Sequence, residues 1–256
     1  MSEQAWYKEW FNSPFYHKLY FERDEIEAAA FISTLIDHLE PTPGSYMLDI
    51  ACGRGRHSRI LAEKGFSVTG IDISFDSIAF AKKYVRKDSL GENKTLEFYQ
   101  HDMRLPFRVN YFDYAFNFFT SFGYFKTRRE HDDAIRTIAN GLNPNGIFVI
   151  DYLNVHYSED HLVYTEEKKL NGTTYEIHRW HDETHFYKKI IINDPGLMHA
   201  IEFTEKVSKF SFGDFNDMLS YHGLQVQEVY GDYKLGNYDV RTKPRLIIIA
   251  KKVVRT

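Results

Sequence analysis

Leu48-Asp49-Ile50-Ala51-Cys52-Gly53-Arg54-Gly55-Arg56-His57-Ser58 carries a short apolar run into a glycine-spaced turn and then into the first residues of a helix. Gly53 and Gly55 allow a tight turn and let a ligand approach the backbone without side-chain clash. In a doubly wound sheet, the first strand-to-helix turn lies near the point where such folds bind ligands. A nicotinamide fingerprint would be Gly-x-Gly-x-x-Gly, and here the third position is Ser58. Asp49 also places a carboxylate in the strand before the turn, which disfavours a pyrophosphate and tolerates a cationic ligand.

The pattern on either side alternates. Met47–Ala51 reads as a first strand, with a helix through Ile60 and Leu61 stopped by Gly65. Val68–Ile73 reads as a second strand, and Ser74 as the N-cap of a helix over Phe75–Arg86. Thr95–Tyr99 and Phe112–Phe119 read as the third and fourth strands. Thr127 and Glu130 form a capping box for a helix to Asn140, and Gly146–Leu153 reads as the fifth strand. Ile147–Ile150 and Leu246–Ala250 are unbroken apolar runs, as in strands buried on both faces. Alternating strands and helices predict a doubly wound, mostly parallel sheet covered on both sides.

The rhythm changes at both ends. Residues 1–40 predict an N-terminal helical cap: an aromatic stretch from Ala5 to Tyr20, split into two short helices by Pro14, then a helix over Asp24–Leu39. After Leu153, Asn171-Gly172 between strand-like runs signals a hairpin, and 157–210 reads as an antiparallel β insertion. Ser211 and Asp214 cap a further helix to His222, and strands at Gln225–Tyr230 and Arg245–Val253 finish the sheet. The whole chain, 1–256, reads as a single domain.

Composition narrows the function classes. A 43% hydrophobic share supports a sizeable core, and a net charge of −4 lowers the expectation of a nucleic-acid partner. Cys52 is the only cysteine, so an intramolecular disulfide and a thiolate metal cluster are excluded. The start, MSEQAWYKEWFNSPFY, lacks the features of a signal peptide, and no apolar run reaches membrane-span length, so a cytoplasmic location without membrane contact is the expectation. His181 and His185 have a metal-like spacing only on a helix; the segment reads as strand, and no metal is expected.

Asp72 closes the argument. It ends the second strand, 17 positions after Gly55, beside the glycine turn in this topology. Its two acceptor oxygens suit the hydroxyls of a ribose. With this in place, the chain resembles the class I S-adenosylmethionine-dependent methyltransferases, closely over Ser45–Leu153 and more loosely at the terminal strands. The resemblance implies S-adenosylmethionine as cofactor, a seven-stranded Rossmann-like sheet with the last strand antiparallel, and a small-molecule acceptor methylated by in-line displacement. It assigns Asp49, Ala51, Gly53 and Gly55 to the first motif, Asp72 and Ile73 to the ribose, Asp102 and Met103 to the adenine, and Asn117 and Phe118 to the strand end facing the methyl group. Asn145 stands where the family's turn before strand five usually has a second glycine. Tyr16 and Arg23 are expected at the cofactor from the cap, Arg23 through the methionine carboxylate.

Plainer readings stand beside these. Asp102 also fits a loop-capping role, Arg23 a surface ion pair, and Arg56 with His57 a solvent-facing helix start. Tyr20, His17, Tyr124 and His178 are general-base candidates by location alone. Asn117-Phe118-Phe119-Thr120 is not the Asn/Asp-Pro-Pro-Tyr of adenine- and glutamine-modifying relatives, and Cys52 is in the wrong loop for a cysteine adduct to a base. Three rivals remain: a nicotinamide-dependent oxidoreductase, a non-catalytic cofactor-binding module of the same fold, and a methyltransferase acting on a protein or RNA.

Overall fold

The computed structural model describes residues 6–20, 25–83, 85 and 95–253. Seven strands build the main sheet: β1 (Tyr46–Ile50), β2 (Ser67–Asp72), β3 (Leu96–Gln100), β4 (Phe112–Asn117), β5 (Leu142–Leu153), β10 (Leu224–Tyr230) and β11 (Arg245–Lys252). Their order is β10-β11-β5-β4-β1-β2-β3. Only the pairings of β11, to β5 and to β10, are antiparallel. The chain reverses its direction of winding between β1 and β4, which places the β1 turn at the switch point.

Side-chain alternation along these strands feeds two cores. On one face, Leu48, Ile50, Phe148 and Ile248 pack with helices α6 (Arg128–Gly141) and α8 (Phe212–Tyr221). On the other, Met47, Val68, Phe116 and Ile249 pack with α3 (Glu25–Leu39) and α4 (Arg56–Glu63). Both predicted capping boxes form, Thr127 with Glu130 on α6 and Ser211 with Asp214 on α8. The helix after β2 is α5 (Phe75–Lys83); its expected extension to Arg86 reaches residues outside those described.

A second, antiparallel sheet follows β5: β6 (Thr165–Leu170), β7 (Thr173–His181), β8 (His185–Asn193) and β9 (Ile201–Ser208). Asn171 and Gly172 both take positive φ at the β6–β7 turn, as a two-residue hairpin requires. The stretch before β6 is not strand, because α7 (Val155–Asp160) occupies it. His181 ends β7, where it pairs with Phe186, and His185 opens β8, so the two stand on different strands rather than along a helix.

At the N-terminus, α1 (Trp6–Asn12) and α2 (Pro14–Leu19) are separated at Ser13, which caps α2 ahead of Pro14. They pack Trp10 and Leu19 onto Tyr175, Ile177, Ile190 and Ile192 of the second sheet. Trp10 Nε1 and Tyr20 Oη each donate to Glu205 Oε1 at 2.7 Å, and Tyr175 Oη donates to the Phe15 carbonyl at 3.2 Å. Cap and insertion therefore hold each other over the carboxyl ends of β1, β2 and β4. Among the described residues, no helix is long and apolar enough to cross a membrane.

Candidate active site

The loop after β1 turns through three alternating special positions. Ala51, Gly53 and Gly55 have φ of +58°, +54° and +77°. The two glycines differ in surroundings. A Cβ on Gly55 would meet Phe98 at 2.5 Å, whereas one on Gly53 would meet nothing within 4 Å. Gly55 is thus required by packing under the loop, and Gly53 presents bare backbone to open space. Asp72 fixes the loop from β2: its Oδ2 accepts from Gly53 N at 2.8 Å and its Oδ1 from Ser74 N at 2.7 Å. Burial raises its carboxyl, and the hydrogen bonds from Ser74 and Gly53 oppose that.

Asp49 lies beneath the loop, buried, with Ser58 Oγ donating to its Oδ2 at 2.5 Å. Burial pushes it up to about 7 against the Ser58 hydrogen bond. Ser58 thus occupies the position of the missing third glycine as a donor to the strand carboxylate.

Two connected cavities open over these residues. The larger, of about 390 Å³, is bordered by Asp49, Ala51 and Phe118 and by the Arg54–Arg59 segment. The smaller, of about 120 Å³, is bordered by Asp72, Ile73, Asp102 and Met103. Tyr16, Tyr20, Gly53 and Phe119 belong to both walls. The structure therefore brings most of the sequence-assigned residues to one cleft, with the cap tyrosines above it. Cys52 is buried in the wall of the larger cavity, and burial raises its thiol, in keeping with an inert filler. Arg23 lies outside the described residues.

Several assignments change in three dimensions. Asn117 is fully buried and lines neither cavity; its Nδ2 donates to the Ile50 carbonyl at 3.1 Å and the Ser121 carbonyl at 3.4 Å. It ties the ends of β4 and β1 together. Asp102 does line the smaller cavity, yet Arg104 grips its carboxylate through Nε at 3.0 Å and Nη2 at 2.6 Å, and Arg104 N donates to Oδ1 at 3.0 Å. Burial raises Asp102, but the Arg104 bonds outweigh it and leave the carboxyl lowered. The loop-capping reading is therefore met along with the cavity position. Arg56 and His57 do not open a solvent-facing helix start. Both line the larger cavity, His57 stacked on Phe119 at 5.0 Å between ring centres.

The base candidates also separate. His178 is exposed, because β7 buries Tyr175 and Ile177 and the alternation turns His178 to the outer face. Tyr124 borders the smaller cavity, but its hydroxyl donates to the Thr120 carbonyl at 2.5 Å. His17 borders the larger cavity; burial first, and then the Arg54 charge, lower it to about 4. Its Nε2 is a buried nitrogen without a hydrogen-bond partner among the described residues. Tyr20 stands in the wall common to both cavities, where Lys188 Nζ donates to its hydroxyl and the hydroxyl donates to Glu205.

Two features escaped the sequence reading. Lys188 and Glu205 face each other across β8 and β9 on the inner side of the second sheet. Their parity with Ile190 and Phe203 was the available signal. The second feature is Asp151, fully buried on β5, which accepts from Arg245 Nε at 2.7 Å and from Phe119 N at 2.8 Å. This holds Phe119 and Thr120 in left-handed conformations, φ +56° and +58°, so β4 ends at Asn117 instead of running to Phe119. Strained backbone held by buried partners is common at functional sites.

Comparison with known proteins defines the class. A family model described as a methyltransferase domain matches residues 41–195, more than half of the chain. The chain belongs to the S-adenosylmethionine-dependent methyltransferase family, and the nicotinamide-dependent alternative is set aside. A solved S-adenosylmethionine-dependent methyltransferase from Clostridium acetobutylicum shares the fold at a TM-score of 0.77 and 16% identity, covering 94% of this chain and 97% of that one. A Bacillus subtilis protein provisionally named a methyltransferase is 36% identical over 109 residues, 41% of each chain. The dTDP-3-amino-3,4,6-trideoxy-alpha-D-glucopyranose N,N-dimethyltransferase of Streptomyces venezuelae is 30% identical over 130 residues, 50% of this chain and 51% of that one. The matches to these two curated relatives span only about half of their length or less.

Proposed function

We propose that this protein transfers the methyl group of S-adenosylmethionine to a small-molecule acceptor inside the cleft beneath the cap. The observation that carries the reading is the junction of the two cavities, where Gly53, Phe119, Tyr16 and Tyr20 meet. Cap helices and insertion roof this junction and leave room for a small acceptor. The Streptomyces venezuelae relative, whose name specifies a dTDP-linked amino sugar, supports a small-molecule acceptor.

The residues present fit the cofactor. In this reading Asp72 accepts from the ribose hydroxyls with lone pairs left over after its two backbone bonds. Ile73, Met103 and Asp102, which line the smaller cavity, would hold the adenine. Bare backbone at Gly53 admits close approach of the amino-acid part, and Asp49 offsets its positive charge. When bound, S-adenosylmethionine supplies an electrophilic methyl group on a neutral leaving group. The protein's share is to align the acceptor with that methyl and to exclude water. The acceptor's attacking atom forms the new bond to carbon, and the electrons of the broken carbon–sulfur bond remain on sulfur. Where that atom arrives protonated, Tyr20 takes up its proton while passing its own to Glu205. His17, held near 4, is too weakly basic at neutral pH to be preferred.

Calorimetric titration with S-adenosylhomocysteine, with NAD as control, tests the cofactor assignment; micromolar binding of the former alone is expected. Acceptor-dependent formation of S-adenosylhomocysteine over a panel of small amines, hydroxyls and acids tests turnover. Tight cofactor binding with no turnover across the panel would favour the non-catalytic module instead.

A further inference from the structure

We infer that the acceptor is an amine and that Glu205 sets this specificity, its carboxylate taking the acceptor nitrogen through Oε2. The inference rests on the methyl-transfer reading and adds to it the class of the attacking atom.

The charged side chains among the described residues of the smaller cavity's wall are Asp72, Asp102 and Glu205. Two of these belong to the main sheet and its loops and are engaged there: Asp72 holds Gly53 and Ser74, and Arg104 grips Asp102. Glu205 comes instead from β9 of the second sheet, and its two oxygens differ in use. Oε1 accepts from Trp10 Nε1 and from Tyr20 Oη, both at 2.7 Å, which seats the cap. Oε2 has Lys188 Nζ at 3.8 Å, an ion-pair distance too long for a hydrogen bond. A carboxylate oxygen takes about two donors, so Oε2 keeps lone pairs for an N–H of a ligand. Phe11 of the cap and Phe119 of the strained turn border the same cavity. Aromatic rings beside a carboxylate form a setting that recognises ammonium groups.

The flow of charge in the reaction agrees with this placement. When a neutral amine attacks, its lone pair forms the bond to the methyl carbon, and the carbon–sulfur electron pair stays on sulfur. The positive charge thereby passes from sulfur to nitrogen. A carboxylate beside that nitrogen stabilises the charge as it develops. An N–H donated to Oε2 also turns the remaining lone pair of the nitrogen toward the methyl group. The surplus proton on the methylated nitrogen then leaves through Tyr20 and Glu205 to water. An anionic acceptor gains nothing from this arrangement: it is repelled by Glu205 on entry and loses its charge in the step.

The test is calorimetry on the full-length protein with benzylamine, benzyl alcohol and benzoate as probes of similar shape, each with and without saturating S-adenosylhomocysteine. Benzylamine is expected to bind the loaded protein about tenfold or more tightly than either of the others. E205Q keeps the size of the side chain and removes its charge, and should cut that preference to about threefold or less. A role confined to seating the cap would weaken benzylamine and benzyl alcohol by the same factor in E205Q, and a preference left intact in this way overturns the inference. If E205Q fails to fold, E205D draws the carboxylate back by one methylene and should lower the preference by about threefold; an unchanged preference in E205D counts against the inference equally. Benzyl alcohol or benzoate binding as tightly as benzylamine, or no probe binding at millimolar concentration, overturns it while S-adenosylhomocysteine binding keeps the methyl-transfer reading. Selective benzylamine binding by a protein that ignores S-adenosylhomocysteine removes the methyl-transfer reading, and with it the assignment of Glu205 to an acceptor.

Discussion

Gly53 donates its backbone N–H to Asp72 Oδ2 at 2.8 Å, tying the glycine loop after β1 to the end of β2. One carboxylate thus shapes the loop and presents acceptor oxygens to the cleft. Asp72→Ala should weaken S-adenosylhomocysteine binding by ~1–3 kcal/mol through lost charge-assisted hydrogen bonds. Asp72→Asn, which keeps the side-chain shape, should lose part of that. Calorimetry beside a thermal melt checks this, and unchanged affinity in the folded alanine variant would sink the ribose assignment.

Asp49 predicts a pH dependence. Its carboxyl is held at about 7 by burial, so at pH 6 the unliganded protein carries it mostly neutral. A cationic ligand favours the ionised form, so binding releases a proton and affinity should rise from about pH 5.5 to 8. Asp49→Asn should flatten that profile. For the unliganded fold the sign is opposite: a carboxyl whose folded value lies above its unfolded one contributes stability at low pH that is lost as pH rises through about 7. Titrations in buffers of different ionisation enthalpy would reveal the proton; no release at pH 6 contradicts the assignment.

The two loop glycines should fail differently. Gly55→Ala forces a Cβ against Phe98 on a left-handed backbone, and a destabilisation of ~2–4 kcal/mol is expected in denaturant unfolding. Gly53→Ala adds its methyl into open space and should cost the fold only ~1 kcal/mol. Its effect should appear as weaker cofactor binding. Unchanged S-adenosylhomocysteine affinity in the folded Gly53→Ala variant would show that Gly53 does not border the ligand.

Asp151 and Arg245 form the buried pair that holds Phe119 over the cleft. Asp151→Ala leaves Arg245 largely buried without its carboxylate and should destabilise the fold by ~3–5 kcal/mol. At temperatures where the variant remains folded, turnover should fall more than cofactor affinity, because the released Phe119–Thr120 turn faces the acceptor side. A variant with parental turnover would reduce the pair to a structural role.

Much of this was legible locally. The capping pairs Thr127–Glu130 and Ser211–Asp214, the Asn171-Gly172 turn and the break at Pro14 each depend on residues a few positions apart, and all formed as read. Asp102 was legible only in part, because its competing partner Arg104 is near in sequence but the cavity beside it is not. His178 follows the two-residue period of its strand, which buries Tyr175 and Ile177 and turns it outward.

By itself, the sequence determined the alternating architecture, the glycine loop and its acidic partner Asp72, since hydrophobic period and turn chemistry are local properties of the chain. Only the tertiary structure decided what faces the cleft. Asp151 meets Arg245 across 94 positions, and Tyr20 meets Glu205 across 185. The convergence of His17 with Arg54 likewise requires the cap to be seated on the glycine loop. Such contacts arise from how strands are ordered and faces packed, and no local pattern encodes which distant side chain will stand opposite.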